Sequence, residues 1–284
     1  VFLMVFRQPP PAKSGLQPQP LDPTRRIEAL RRLLAEDNLE PTPVITSVSL
    51  SAWARIKTGL AKAPSGSRRP SRPFIIGLAG GSGSGKTQVR DVLADALSQF
   101  APVSTFTQDN YYCDFSRRYA GLTPQASYDT VDLDDPEQVL TAKLIADLRT
   151  LRAMPLGAAM TMPRLVYGTP TTLPSLAPTG QLISAEPFVI TEGIHALGTP
   201  ALRRCYDLSI YVDVDEAVRR DRWLLRNQKE NRGATCHMWQ TTVQCMGRYV
   251  LPSRAQADVV VNNTADLSQL AQMLYQLTGL LLAD

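Results

Sequence analysis

The chain has 284 residues, and its 44% apolar content can fill a sizeable core, which excludes a disordered protein. A formal charge of +4 suits a polyphosphate ligand but does not by itself indicate a nucleic-acid-binding surface. No apolar stretch reaches the ~20 residues of a membrane span, and four cysteines without a CxxC pair, beside only two histidines, offer no zinc framework. We therefore expect a cytoplasmic protein with reduced thiols, and neither a membrane nor nucleic acid as partner.

Residues 1–20 are proline-rich and read as a flexible tail. Residues 21–72 read as a helical extension and linker. Asp22 offers an N-cap and Pro23 a first helical position, and Ile27, Leu30, Leu33 and Leu34 form one apolar face. Leu50, Trp53, Ile56 and Leu60 repeat the helical spacing, and 63–73 is rich in Pro, Ser, Gly and Arg. The functional alternative to a plain appendage is an oligomer contact, and with it a homo-oligomer, or a regulatory element.

The core domain is expected over 73–284. It opens with an apolar strand from Phe74 that turns into Gly80-Gly81-Ser82-Gly83-Ser84-Gly85-Lys86-Thr87, and 88–100 then reads as a helix. Gly80-xxxx-Gly85-Lys86-Thr87 matches the phosphate-binding loop in its required strand–loop–helix setting. Glycines let successive backbone N–H groups converge on an anion, and the helix start adds unpaired N–H groups. Lys86 supplies a charge for the β- and γ-phosphates of a nucleotide, and Thr87 a hydroxyl for Mg²⁺.

A second strand over 102–107 ends at Asp109, where parallel sheets place ligand groups. A helix is expected to start at Asp135-Pro136-Glu137 and to carry Val139, Leu140, Leu144, Ile145, Leu148 and Leu151 inward. The Pro-, Gly- and Thr-rich stretch 157–180 reads as strands and turns covering a substrate. Strand 187–191 runs into Glu192, an acidic group placed to hold Mg²⁺ through a water. Strand 208–214 leads into an arginine-rich helix whose Arg219, Arg222 and Arg226 share a face, as a lid over polyphosphate would. Strand 258–262 and a helix over 266–282 close the chain. Strands alternating with helices give a three-layer α/β fold with a mostly parallel central sheet.

The loop alone indicates a nucleotide. No Asn-Lys-x-Asp guanine-reading motif is present, and Asp109 is placed to act as base toward an alcohol, so a small-molecule kinase using ATP and Mg²⁺ is favoured. Asp109, Lys86 and Arg222 are then the catalytic candidates, and Arg226 joins the loop in binding the donor.

In its motifs the chain resembles the uridine kinase and phosphoribulokinase family of P-loop kinases. The resemblance covers 73–263. It rests on the loop wording, on Gln108-Asp109-Asn110-Tyr111-Tyr112, on Leu133-Asp134-Asp135-Pro136, on Thr191-Glu192-Gly193-Ile194, on the Arg219-x-x-Arg222 and Arg226 lid pattern, and on Tyr249-Val250-x-Pro252-Ser253. It implies a P-loop fold with a lid, Asp109 as base, and Asp134 on the hydroxyls of the acceptor. Tyr112, Tyr167 and Arg219 join Asp134 as acceptor candidates. The chain departs from the uridine kinase pattern in the acceptor half. Pro163-Arg164-Leu165-Val166-Tyr167-Gly168 lacks the Tyr-Asp pair, Asp135 replaces a His, Trp223 an Arg and Asn227 an Asp. Uridine or cytidine, a non-nucleoside acceptor such as pantothenate, a sugar phosphate or a glycerate-like alcohol, and a nucleotide switch without transfer all stay open.

Overall fold

A computed structural model of the chain describes residues 45–48, 61–62, 68–168, 171–229 and 236–264. Its frame is a six-stranded sheet of β1 (Ile45–Val48), β2 (Phe74–Ala79), β3 (Val103–Thr107), β4 (Phe188–Glu192), β5 (Leu208–Asp213) and β6 (Val259–Asn262), in the order β1-β6-β5-β2-β4-β3. Five strands are parallel and β1 runs antiparallel along the edge, so the expected mostly parallel α/β fold is the one found.

Every residue of β2 is buried, as suits a central parallel strand covered on both faces. Side chains alternate across the sheet. Phe74, Ile76 and Leu78 pack with Val89, Leu93 and Leu97 of α1 (Lys86–Ser98). Ile75 and Ala79 point the other way, into a core shared with Leu144, Leu148 and Leu151 of α2 (Thr141–Ala153). At roughly 2 kcal/mol per fully buried aliphatic side chain, these two layers fix the plane of the sheet and the height of the loop above it. At the opposite end Asp207 pins three segments. It accepts from the Ile75 amide at 2.9 Å, from Arg72 Nη2 at 2.8 Å and from Arg152 Nη2 at 3.0 Å.

Two expectations are corrected. The extension over 21–72 is not uniformly helical, since Ile45–Val48 is a sheet strand and Ala61–Lys62 pairs with Arg68–Arg69. The apolar faces at 27–34 and 50–60, and the closing helix at 266–282, lie outside the described residues. The helix expected from Asp135 is instead a single 3₁₀ turn, Pro136–Gln138, capped by the Asp135 carboxylate on the Glu137 amide at 2.7 Å. Here the backbone is drawn into tertiary pairing. Cys113 N donates to Gln138 O and Leu140 N to Tyr111 O, each at 2.7 Å, so helical bonds begin only at α2. The 157–180 stretch forms strands as expected, with Ala159–Met162 paired to Gln181–Ser184 and Leu165–Val166 to Ser175–Leu176.

Candidate active site

The C-terminal ends of β2, β4 and β3 open into one cavity of about 400 Å³. The loop after β2 forms one end. Gly83 and Gly85 both have φ of +84°, and a side chain at either would strike the Arg219 carbonyl or the Asn263 amide group. The Asn263 side-chain amide donates to the Ser84 carbonyl at 2.8 Å and fixes the turn into α1. Lys86 is buried, donates to the Gly81 carbonyl at 3.1 Å, and has its ammonium pKa pulled down by burial despite Glu192 and Asp109 nearby. Ser84 Oγ and Arg226 Nε are buried without a hydrogen-bond partner among the described residues. Unfilled donors around a glycine cradle and a desolvated ammonium are what a polyphosphate would satisfy.

The carboxylates gather beside this cradle. Thr87 Oγ1 lies 3.3 Å from Glu192 Oε1, and burial raises the Glu192 pKa against the pull of Lys86. A hydroxyl and a carboxylate this close are an oxygen pair of the kind that holds Mg²⁺ directly or through water. Asp109 follows β3 on the short 3₁₀ helix Gln108–Tyr111, its amide capped by Thr107 Oγ1 at 3.1 Å. Its carboxylate accepts from the Tyr167 hydroxyl at 3.0 Å. Tyr167 arrives on the Leu165–Val166 hairpin, which the Asn110 side chain ties to the same turn through the Leu165 amide at 3.0 Å.

Asp134 borders the other end of the cavity. Burial raises its pKa, and a hydrogen bond from Thr242 opposes the rise. Tyr112 lies beside it, its hydroxyl pushed well above the usual range by burial and then by Asp134 and Asp109. Phe115, Val131, Leu133, Leu165, Ile194 and Met238 supply an apolar wall.

Of the residues singled out from sequence, Ser82, Lys86, Thr87, Asp109, Tyr112, Asp134, Tyr167, Glu192 and Arg226 line this one cavity. Arg226 Nη2 reaches Ser82 Oγ at 3.1 Å. Arg219 and Arg222 do not line it. Their helix, α3 (Glu216–Lys229), packs tightly onto the loop. Arg219 is 2% exposed, stacked 4.9 Å over Trp239 and donating to the Ser82 carbonyl at 3.3 Å, so it braces the loop from behind. Arg222 turns aside to the Asn263 carbonyl at 2.9 Å, and burial lowers its pKa. Neither side chain is among those that line the cavity. Trp223 and Asn227 line the cavity from this helix instead.

The sequence reading missed Arg90, whose Nη1 lies 3.6 Å from Glu192 Oε1 on the cavity wall. Its signal was its place four residues past Lys86, on the same helix face. Thr242, from α4 (Cys236–Cys245), had no signal, because only the folded chain brings it to Asp134.

The glycine cradle over a strand–helix junction, open to gathered carboxylates, defines a P-loop nucleotide-binding fold. The model of the phosphoribulokinase / uridine kinase family matches residues 75–268, and the chain belongs to that family. It is 32% identical to a uridine kinase of Lactobacillus johnsonii over 197 residues, 67% of this chain and 86% of that one. A uridine kinase of Staphylococcus haemolyticus is 34% identical over 66% of this chain and 86% of its own. The phosphoribulokinase of Rhodobacter spheroides superposes with a TM-score of 0.51 at 14% identity, over 70% of this chain and 74% of that one, and shares the fold.

Proposed function

We propose that the protein transfers the γ-phosphate of ATP to a hydroxyl of an uncharged small molecule, with a pyrimidine nucleoside such as uridine or cytidine as the first candidate. The observation that carries the reading is the meeting of Lys86, Thr87, Glu192, Asp109 and Asp134 in one cavity, with phosphate-binding groups at one end and two carboxylates toward the other. The uridine kinases similar to this chain support the nucleoside.

Charge at the acceptor end supports an uncharged acceptor. Among the described residues the cavity is lined by three cations, Lys86, Arg90 and Arg226. Lys86 and Arg226 are turned to the loop, and Arg90 is already paired with Asp91 at 2.7 Å and Glu192. Among the described residues, a phosphate or carboxylate on the acceptor would face Asp134 and Asp109 with no spare cation beside it. This disfavours sugar phosphates, pantothenate and glycerate-like alcohols.

In the reaction Asp134 and Tyr112 would hold the acceptor, and Asp109 would orient its hydroxyl and accept the proton as the phosphoryl group moves. Lys86 and Arg226 would offset charge on the transferred oxygens, and the apolar wall would keep water out. Thr87, with Glu192 beside it, would hold Mg²⁺, which would supply neutralisation of phosphate charge when bound.

The test is ATP-dependent transfer with Mg²⁺, product detected by mass, against uridine and cytidine on one side and ribulose 5-phosphate, glycerate and pantothenate on the other. Transfer to the uncharged set is expected. Efficient transfer to an anionic acceptor overturns the charge argument, and tight nucleotide binding with no transfer to any overturns the kinase reading in favour of a switch.

A further inference from the structure

Asp134 lies in a turn with no strand or helix to hold it. Its amide donates to Asp132 Oδ1 at 3.0 Å. Its carbonyl oxygen is met by two side chains from distant parts of the chain. His195 Nε2 lies at 2.6 Å and Cys245 Sγ at 2.7 Å. A carbonyl oxygen has two lone pairs, and both are taken.

His195 is 4% exposed and does not line the cavity. It stands three residues past Glu192, and its own amide donates to Gln108 Oε1 at 2.9 Å, immediately before Asp109. Its ring meets Tyr249 edge-on at 6.4 Å. A carbonyl can only accept, so this contact places the imidazole proton on Nε2. Burial lowers the His195 pKa, in keeping with a neutral ring. One residue thus joins the three turns: its ring meets the Asp134 carbonyl, its backbone amide meets Gln108 before Asp109, and the chain leads from it back to Glu192.

We propose that His195 is a positioning residue for the acceptor. Its Nε2–H, with the Cys245 thiol as second donor, fixes the Asp134 main chain and so sets where the Asp134 carboxylate stands relative to Asp109 and Glu192. His195 touches no substrate. The proposal rests on the role of Asp134 proposed above, and it explains how a carboxylate on an irregular turn is held still enough to place a hydroxyl. Groups that orient a binding side chain from behind commonly act through such hydrogen bonds to its backbone or ring.

The experiment compares His195→Phe with His195→Gln, which keeps a donor. The first readout needs no acceptor: titration of the Asp134 side-chain carboxyl carbon by ¹³C NMR in the free protein. His195→Phe is expected to let the turn loosen and hydrate, bringing the raised Asp134 pKa down toward its ordinary value, and His195→Gln to restore it in large part. The second readout is transfer to uridine, with KM for uridine rising about 5-fold in His195→Phe, as loss of one hydrogen bond of about 1 kcal/mol implies, and KM for ATP unchanged. An Asp134 titration identical in His195→Phe and the parent protein overturns the proposal. If His195→Phe does not fold, Cys245→Ala against Cys245→Ser gives the same comparison with the other donor. Asp134→Asn is the control for the underlying reading. An unchanged KM for uridine in that variant, or no transfer to uridine by the parent, refutes the acceptor role of Asp134, while the titration still decides the positioning.

Discussion

Replacing Asp109 by Asn would remove the proposed proton acceptor and little else. The Asp109 amide still donates to Thr107 Oγ1 at 3.1 Å and starts its 3₁₀ turn, and an Asn carbonyl can still accept from Tyr167 at 3.0 Å. The fold cost is then small, within about 0.5 kcal/mol. A positioned general base contributes about 10²–10⁴-fold, or about 3–5 kcal/mol of barrier. We expect kcat with the panel acceptor to fall at least about 100-fold. Nucleotide affinity should stay within about 2-fold, since the amide keeps the shape of the site. Binding can be followed by the fluorescence of Trp223, which lines the cavity. A kcat within about 5-fold of the parent protein refutes the assignment. A parallel loss of nucleotide affinity would mean that Asp109 serves the metal or phosphates and not the proton.

Other outcomes follow from the same geometry. Arg226→Ala should raise KM for ATP by about 10-fold, the scale of one lost charged hydrogen bond, whereas Arg222→Ala should stay near the parent; equal effects would restore Arg222 to the site. Gly83→Ala places a side chain against the Arg219 carbonyl at φ +84°, and should cost about 1–3 kcal/mol of stability along with most ATP affinity; an unchanged melting temperature and ATP titration would show that the loop relaxes freely. Burial raises the Asp134 pKa above its ordinary 3.8, so the stability it leaves intact at low pH is lost as pH climbs through the raised value. Asp134→Asn should therefore raise the melting temperature of the free protein more at pH 8 than at pH 3, below the ordinary carboxyl value, and equal shifts would refute a carboxylate held out of water.

Local chemistry made the core of the site legible. Gly83 and Gly85 need a backbone conformation that other residues resist, and Lys86 and Thr87 follow at fixed spacing, so the loop could be read residue by residue. Asp109 and Glu192 stood at the ends of apolar strands, and their convergence followed from parallel pairing. What failed had been settled by tertiary contacts. Val139 and Leu140 have helical spacing, but the bridge of Val139 to Tyr112, with Gln138 O accepting from Cys113 and Leu140 N donating to Tyr111, took that backbone first. Arg219 and Arg222 share a helix with Arg226, yet the tight packing of that helix on the loop sent one behind it and one beside it. Ile45–Val48 carried too short a pattern to be told from the helical spacing expected on either side of it. His195 gave no sign of its place, since its partner carbonyl is named by no side chain.

That short antiparallel strand has a consequence for how the protein can be handled. Val259, Val260 and Val261 of β6 would otherwise end the sheet as a bare β-branched ribbon with its amides and carbonyls unanswered. Such ribbons recruit one another, and their growth into aggregates is a standing hazard of open sheets. A fragment trimmed to begin at the phosphate-binding strand would keep every residue of the cavity described above and still lose its shield against self-association.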